Sequence, residues 1–270
     1  MTALEAPERP EAPVGPGRRV PVAPVSPNAT LIEREDLTGS VARLVVRPDE
    51  EAPPFVPGQY FALGLTVDGR LLQRPYSTAS TPPARGGLEF LVRLVPGGAL
   101  TPLLWQLTPG ARLRMGRPKG LFRLAPDDRR AHLLIATGTG LAPFIAMTGE
   151  LEARGAGGRT VVVHGVARVD ELAYRDRLEA WQRDSRSITY LPAVSRPDDP
   201  ANRGWAGLTG RLDAALPEIM ARATLQPADT VAYLCGNPAM ISAVTAALRF
   251  RGVPAEAIIS EQYWPGFAIG

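Results

Sequence analysis

Five short stretches of this 270-residue sequence carry side chains that could do chemistry. The first is Ala136-Thr137-Gly138-Thr139-Gly140-Leu141-Ala142-Pro143. Glycines between a strand and a helix let the backbone approach a pyrophosphate, and the helix start offers unpaired N–H groups to anionic oxygens. Pro143 stands where a dinucleotide fingerprint has its third glycine, and it suits a first helical turn because no donor is needed there. Two glycines at such a turn also serve plain turn chemistry. The second is a set of arginines after three expected strands: Arg168, Arg196 and Arg211. In a nucleotide-binding α/β unit, an acid after the second strand takes the ribose 2′-hydroxyl and an arginine there accommodates a 2′-phosphate. With 29 arginines and one lysine, Lys119, in the chain, each alone also reads as a surface residue.

The third stretch is Cys235-Gly236-Asn237-Pro238-Ala239-Met240. Asn-Pro gives an N-cap and a proline at the first helical position. The cysteine is expected at the C-terminal edge of its strand, facing a ligand crevice, although a free cysteine is also a common buried small hydrophobe. The fourth is Arg74-Pro75-Tyr76-Ser77, where arginine can clamp a diphosphate, tyrosine can stack on a flat ring and serine can donate a hydrogen bond. Downstream, Gly97-Gly98-Ala99-Leu100-Thr101-Pro102 opens a short helix and a second anion-binding turn. The fifth is Glu261-Gln262-Tyr263-Trp264, whose adjacent aromatics could pack a core or cover a flat cofactor.

Other chemistries lack their residues. A single cysteine excludes a disulfide framework and Cys-ligated iron–sulfur or zinc sites. Two histidines, His132 and His164, leave no multi-His metal centre and no Ser-His-Asp set, and both read as satisfied structural residues. No apolar run reaches the ~18 residues of a membrane span, and the first residues lack the apolar core of a secretory signal. The net charge of +3 comes without a dense basic stretch interleaved with aromatics, so nucleic acid is not an expected partner. Arg112, Arg114, Arg117, Lys119 and Arg123 do form a run of basic residues without an acid. It reads either as a solvated strand face or as a docking patch for an acidic protein.

The elements that must position these residues divide the chain in two. Residues 1–28 hold seven prolines and too little apolar content to pack, which predicts a disordered tail. From Ala29 to Pro126, short alternating runs (Leu44–Val46, Tyr60–Leu63, Leu88–Val92, Arg112–Met115) between turn signals predict a small antiparallel barrel with one helix over Leu100–Leu107. After His132 the period changes. Strands at Leu133–Ala136, Val161–Val163, Ile188–Leu191 and Val231–Leu234 alternate with helices ending near Arg154, Arg183, Ala223 and Arg251, which predicts βαβ units on a parallel sheet. The boundary is expected at Pro126–Asp128, giving domains 29–126 and 127–270.

Taken in order and spacing, Arg74-x-Tyr76-Ser77, Gly98-x-x-Thr101, Gly138-Thr139-Gly140-Leu141-Ala142-Pro143 and Cys235-Gly236-Asn237-Pro238-x-Met240 resemble the ferredoxin–NADP⁺ reductase superfamily. The terminal Glu261-x-Tyr263-Trp264 resembles its bacterial ferredoxin/flavodoxin branch, and the likeness spans roughly residues 30–270. It implies an FAD-binding antiparallel β-barrel followed by an NADP-binding α/β domain. By that resemblance Arg74, Pro75, Tyr76, Ser77, Gly98, Ala99, Leu100 and Thr101 would hold FAD. Thr137, Gly138, Thr139, Gly140, Arg168, Arg196, Arg211 and Gly236 would hold NADP(H). Tyr263 and Trp264 would cover the flavin, and Ser77, Cys235, Glu261 and Tyr263 would flank the reacting atoms. The implied activity is hydride exchange with NADP(H) and single-electron exchange with ferredoxin or flavodoxin, by a cytoplasmic monomer. The alternatives are a reductase component for an oxygenase or haem partner, or a flavin electron-transfer subunit without nicotinamide turnover. The chain departs from one branch in running on past Trp264 to Gly270, and from another, which has a similar tail, in carrying the Tyr263-Trp264 pair.

Overall fold

A computed structural model of the chain describes residues 26–125, 128–154 and 158–263. In the first half, alternating runs become six strands: β1 (Ala29–Asp36), β2 (Val41–Pro48), β3 (Tyr60–Val67), β4 (Arg70–Ser77), β5 (Leu88–Arg93) and β6 (Arg112–Met115). They pair antiparallel in the order β4-β3-β6-β1-β2-β5. A bridge between Thr78 and Phe90, with the Ala79 N–H donating to the Glu89 carbonyl at 2.8 Å, joins the end of β4 to β5 and closes the barrel. Inside it Leu31, Leu44, Phe61, Leu88, Phe90 and Leu113 are buried, and Phe61 meets Phe90 edge-on at 6.0 Å. Strand β1 escapes a sequence reading because its register slips between Leu31 and Glu33, and the bulge breaks the alternation. The barrel helix is shorter than expected, α1 (Thr101–Trp105).

The second half alternates as expected: β7 (Ala131–Thr137), α2 (Ala142–Ala153), β8 (Thr160–Val166), α3 (Arg175–Asp184), β9 (Ile188–Val194), β10 (Leu208–Thr209), α4 (Leu212–Arg222), β11 (Thr230–Gly236), α5 (Pro238–Phe250) and β12 (Ile258–Gln262). These strands form a parallel sheet in the order β10-β9-β8-β7-β11-β12. Its period of two sorts side chains between layers. Leu133, Ile135, Val161 and Val163 pack with Leu216 and Val244 on one face, while Leu134, Val162 and Tyr190 pack with Ile145 and Leu178 on the other. Helices on both faces explain why β7, β8 and β11 are almost wholly buried. β10 and β12 add to the expected strands; β10 has only two residues, and β12 ends in Ser260-Glu261-Gln262, so neither shows a clear strand period.

The second of these layers also holds Val41, Ala79 and Leu91 of the barrel, so the two sheets share a core. Polar ties cross the same seam. The Thr81 hydroxyl donates to the Ala146 carbonyl at 3.1 Å, and the Ala125 N–H donates to the Tyr233 hydroxyl at 3.2 Å. The Tyr174 hydroxyl donates to Glu89 at 2.9 Å, and Arg93 pairs with Glu171 at 3.6 Å. Asn28, assigned by sequence to the tail, instead holds β6, accepting from the Met115 N–H at 2.8 Å and donating to its carbonyl at 3.0 Å. Residues 1–25 of that tail and residues 126–127 of the expected boundary lie outside the described residues. Among the described residues no helix is long and apolar enough to cross a membrane, and no cluster of His, Cys, Asp and Glu is placed to hold a metal.

Candidate functional site

A cleft of about 1020 Å³ opens between the barrel and the C-terminal ends of the parallel strands. Strand β7 is the point where the chain order reverses, with β8 to its one side and β11 to the other, and open α/β sheets bind ligands at such a point. The barrel contributes Arg74, Pro75, Tyr76, Ser77, Arg93 and Gly97–Thr101 to the walls. The sheet contributes Thr137–Thr139, Ala167, Ser195, Arg211, Gly236 and Glu261–Tyr263.

The loop after β7 has a steric reason for its glycines. A Cβ on Gly140 would sit 2.4 Å from the Cys235 carbonyl oxygen, so only glycine lets the ends of β7 and β11 touch. Gly236 has φ +132°, and a Cβ there would lie 2.3 Å from Thr137 Oγ1. Thr137 Oγ1 accepts from the Asn237 N–H at 3.1 Å, and Asn237 caps α5 by accepting from the Ala239 N–H at 2.8 Å. The loop opens with a 3₁₀ turn, Gly138–Leu141, before α2 begins. Beneath it lies His164, fully buried, with Nε2 3.0 Å from the Gly138 carbonyl. Burial lowers its pKa to about 4, so the neutral ring donates Nε2–H and fixes the loop. Both histidines were expected to be satisfied. His164 Nδ1 has no partner among the described residues, and neither nitrogen of His132 has one; that ring stacks on Tyr233 at 6.2 Å.

At the inner end of the cleft the two sheets exchange a hydrogen bond. Ser77, at the end of β4, donates from Oγ to Glu261 Oε2 of β12 at 3.2 Å. Burial raises the Glu261 carboxyl to about 7, against the opposing pull of the Ser77 hydrogen bond. The chain then turns over this pair, the Tyr263 N–H donating to the Gly236 carbonyl at 2.9 Å. The Tyr263 hydroxyl is enclosed beside Ser77 and Cys235 without a well-formed hydrogen bond to either, and burial pushes its pKa up. Cys235 corrects a sequence expectation. It does not face the crevice but is fully buried within the core layer, against which Tyr263 packs, and burial pushes its thiol pKa up. The cause is what covers its face of the sheet: Leu141, Ala142 and Phe144 share its core layer, and Tyr263 packs against it.

At the outer end only one of the three arginines reaches the wall. Arg211, at the N-cap of α4, lines the cleft and pairs with Asp213 at 3.1 Å. Arg168 and Arg196 stand beside wall residues Ala167 and Ser195. Arg168 is drawn to Asp199, Nε to Oδ2 at 2.9 Å, and Arg196 acts on the same carboxylate. On the barrel wall, Arg74 donates to the Gln73 carbonyl at 2.7 Å, and burial raises the Tyr76 hydroxyl. The Thr101 hydroxyl accepts from the Val95 N–H at 3.0 Å and donates to the Val95 carbonyl at 3.3 Å, so it shapes the Gly97–Gly98 turn. The basic run is smaller than its sequence suggests, because Arg112 is tied to Asp49 at 2.6 Å and Thr30 at 2.7 Å. Trp264 lies outside the described residues.

Sequence motifs missed His164, Asp199 and the Glu89–Tyr174 tie. Each acts through a partner more than twenty residues away, for which no local pattern exists. Only Tyr174, a non-glycine at φ +55°, marks itself in the structure as a constrained position.

A crevice of this volume, with the glycine loop after β7 on one wall and Arg74 and Tyr76 on the other, fits two nucleotides meeting between sheets. Family comparisons agree. The oxidoreductase FAD-binding domain model matches residues 28–124 and the oxidoreductase NAD-binding domain model matches residues 134–246. A ferredoxin–NADP reductase B of Sorangium cellulosum is 34% identical over 250 residues, covering 91% of this chain and 96% of that one. The ferredoxin–NAD(P)⁺ reductase component of the Pseudomonas putida naphthalene 1,2-dioxygenase system is 28% identical over 266 residues, covering 98% and 75%. A Neisseria gonorrhoeae ferredoxin NADP⁺ reductase, solved with FAD and NADP, shares the fold with TM-score 0.76 at 24% identity, covering 87% of this chain and 97% of that one.

Proposed function

We propose a specific activity on this premise: the chain belongs to the ferredoxin–NADP reductase family. It is an FAD-dependent oxidoreductase that exchanges a hydride with NADP(H) and single electrons with ferredoxin or flavodoxin. The observation that carries this reading is the Ser77–Glu261 hydrogen bond, which joins the FAD-side barrel to the coenzyme-side sheet at the inner end of one cleft.

A bound FAD would supply the conversion between two-electron and one-electron chemistry. The chain's own residues bind, orient and exclude water. Arg74, Pro75, Tyr76 and the Gly98–Thr101 turn hold FAD against the barrel, with Ser77 at the reacting end. Thr137–Gly140 and Gly236 receive the coenzyme pyrophosphate, and Arg211 with Arg168 and Arg196 receives its 2′-phosphate. The Glu261 carboxyl, raised to about 7, is mostly protonated below neutrality, so the inner end carries little charge there. Tyr263 packs against Cys235 from the cleft wall and has to yield before a nicotinamide can reach that strand end.

For the acceptor, the exposed Arg117, Lys119 and Arg123 flank Leu121 in sequence, itself 85% exposed, and this basic stretch with an apolar residue suits an acidic electron carrier. An oxygenase component is the second reading, supported by the dioxygenase-system relative. Anaerobic titration of the purified protein with NADPH tests the proposal. A yellow flavin spectrum that bleaches on addition is expected. A protein that binds FAD and does not bleach is an electron-transfer subunit without nicotinamide turnover, and the proposal fails.

A further inference from the structure

We infer that Asp199 is an internal occupant of the coenzyme's 2′-phosphate subsite, and that by holding Arg168 it sets how strongly the protein distinguishes NADPH from NADH. The inference rests on the coenzyme reading above and deepens it.

The contact is built rather than incidental. Asp199 Oδ2 accepts from Arg168 Nε at 2.9 Å while Oδ1 accepts from the Ala201 N–H at 3.0 Å, so both carboxylate oxygens are engaged. The turn behind it, Pro200–Asn202, is stitched to both arginine-bearing loops by one side chain. Asn202 donates to the Arg196 carbonyl at 2.7 Å and to the Ala167 carbonyl at 3.0 Å, and accepts from the Val169 N–H at 2.7 Å. Asn202 is 2% exposed, so this staple is dry and its bonds are costly to leave unmade. The Asp199 carboxylate is thereby fixed between the ends of β8 and β9, facing Arg168 and Arg196 together.

A coenzyme with a free 2′-hydroxyl leaves the Arg168–Asp199 pair intact and can donate its hydroxyl hydrogen to the carboxylate. A 2′-phosphate has to take Arg168 from Asp199. Asp199 therefore acts as a positioning residue that narrows the preference for the phosphorylated coenzyme. Asp213 plays the same part more weakly for Arg211, on a pair more open to water.

The test is Asp199→Asn, which keeps an N-cap oxygen for Ala201. Calorimetry with 2′,5′-ADP and 5′-AMP reads the subsite without turnover, and steady-state reduction of ferricyanide by NADPH and NADH reads it in the holoenzyme. Binding of 2′,5′-ADP is expected to tighten about three- to fivefold at low ionic strength, an exposed charge-pair effect that shrinks as salt rises. The NADPH-to-NADH ratio in kcat/KM should rise by the same factor, 5′-AMP should bind no tighter, and Arg168→Gln should abolish the gain. Unchanged or weaker 2′,5′-ADP binding overturns the inference, as does a gain that survives Arg168→Gln. If wild type binds neither nucleotide, the coenzyme reading itself is wrong and the inference falls with it.

Discussion

At the inner end of the cleft a buried Ser77 meets a half-buried Glu261, whereas at the outer end Arg168 meets Asp199 near the surface. The inner pair joins two domains through one hydrogen bond, and burial moves the carboxyl to about 7. The outer pair lies within one domain, with Arg168 47% exposed, and solvent screens it. The same class of contact thus does different work.

The contrast can be broken most forcefully at the cradle between the two ends. Gly140→Ala puts a methyl into the Cys235 carbonyl, a collision with backbone that cannot rotate away. Coenzyme affinity is expected to fall about a hundredfold, from overpacking of a few kcal/mol. Titration of flavin bleaching against NADPH checks it, and unchanged affinity would remove the glycine loop from the site.

Arg211→Ala probes the outer end alone. Loss of one charge-assisted contact to the 2′-phosphate should lower kcat/KM for NADPH about tenfold while leaving NADH almost unchanged. An equal loss with both coenzymes would mean that Arg211 supports α4 rather than the phosphate.

Tyr263→Ser sharpens the inner end. Aromatic contact is worth about 0.5–1.5 kcal/mol beyond burial, so NADP⁺ should bind roughly two- to tenfold tighter and turnover should slow. No change in either would leave Tyr263 as packing. The smallest effect is expected from Arg112→Ala. Its partner Asp49 already neutralises it on an exposed edge, so electron transfer to an acidic carrier should keep its rate and salt dependence, while Lys119→Ala should lower both.

Much of this was legible in sequence because local rules wrote it. Period-two runs marked most of the barrel strands, and Asn237-Pro238 announced the start of α5. Gly138 and Gly140 announced a backbone that must approach something closely. What the sequence hid was long-range. Cys235 looked like a residue at a ligand edge because its strand ends there, and only the neighbouring β12, with Tyr263 turned over it, makes it core. Arg168 looked like a free phosphate ligand because Asp199 belongs to another loop, the one that carries Arg196. Glu261 was placed from the resemblance, but its shifted proton depends on burial against Ser77 across the domain seam.

The inner end's chemistry is tested most directly by stopped-flow reduction of the bound flavin at saturating NADPH, from pH 5.5 to 8.5, in wild type and Glu261→Gln. The carboxyl is raised from 4.5 to about 7, so it is neutral below that value and ionised above it. An incoming hydride brings negative charge, which an ionised, half-buried neighbour opposes. In wild type the rate should therefore fall roughly tenfold as pH rises through about 7, while Glu261→Gln should give a flat profile with coenzyme affinity unchanged. The same inflection in both proteins would contradict the assignment of Glu261 to the reacting centre.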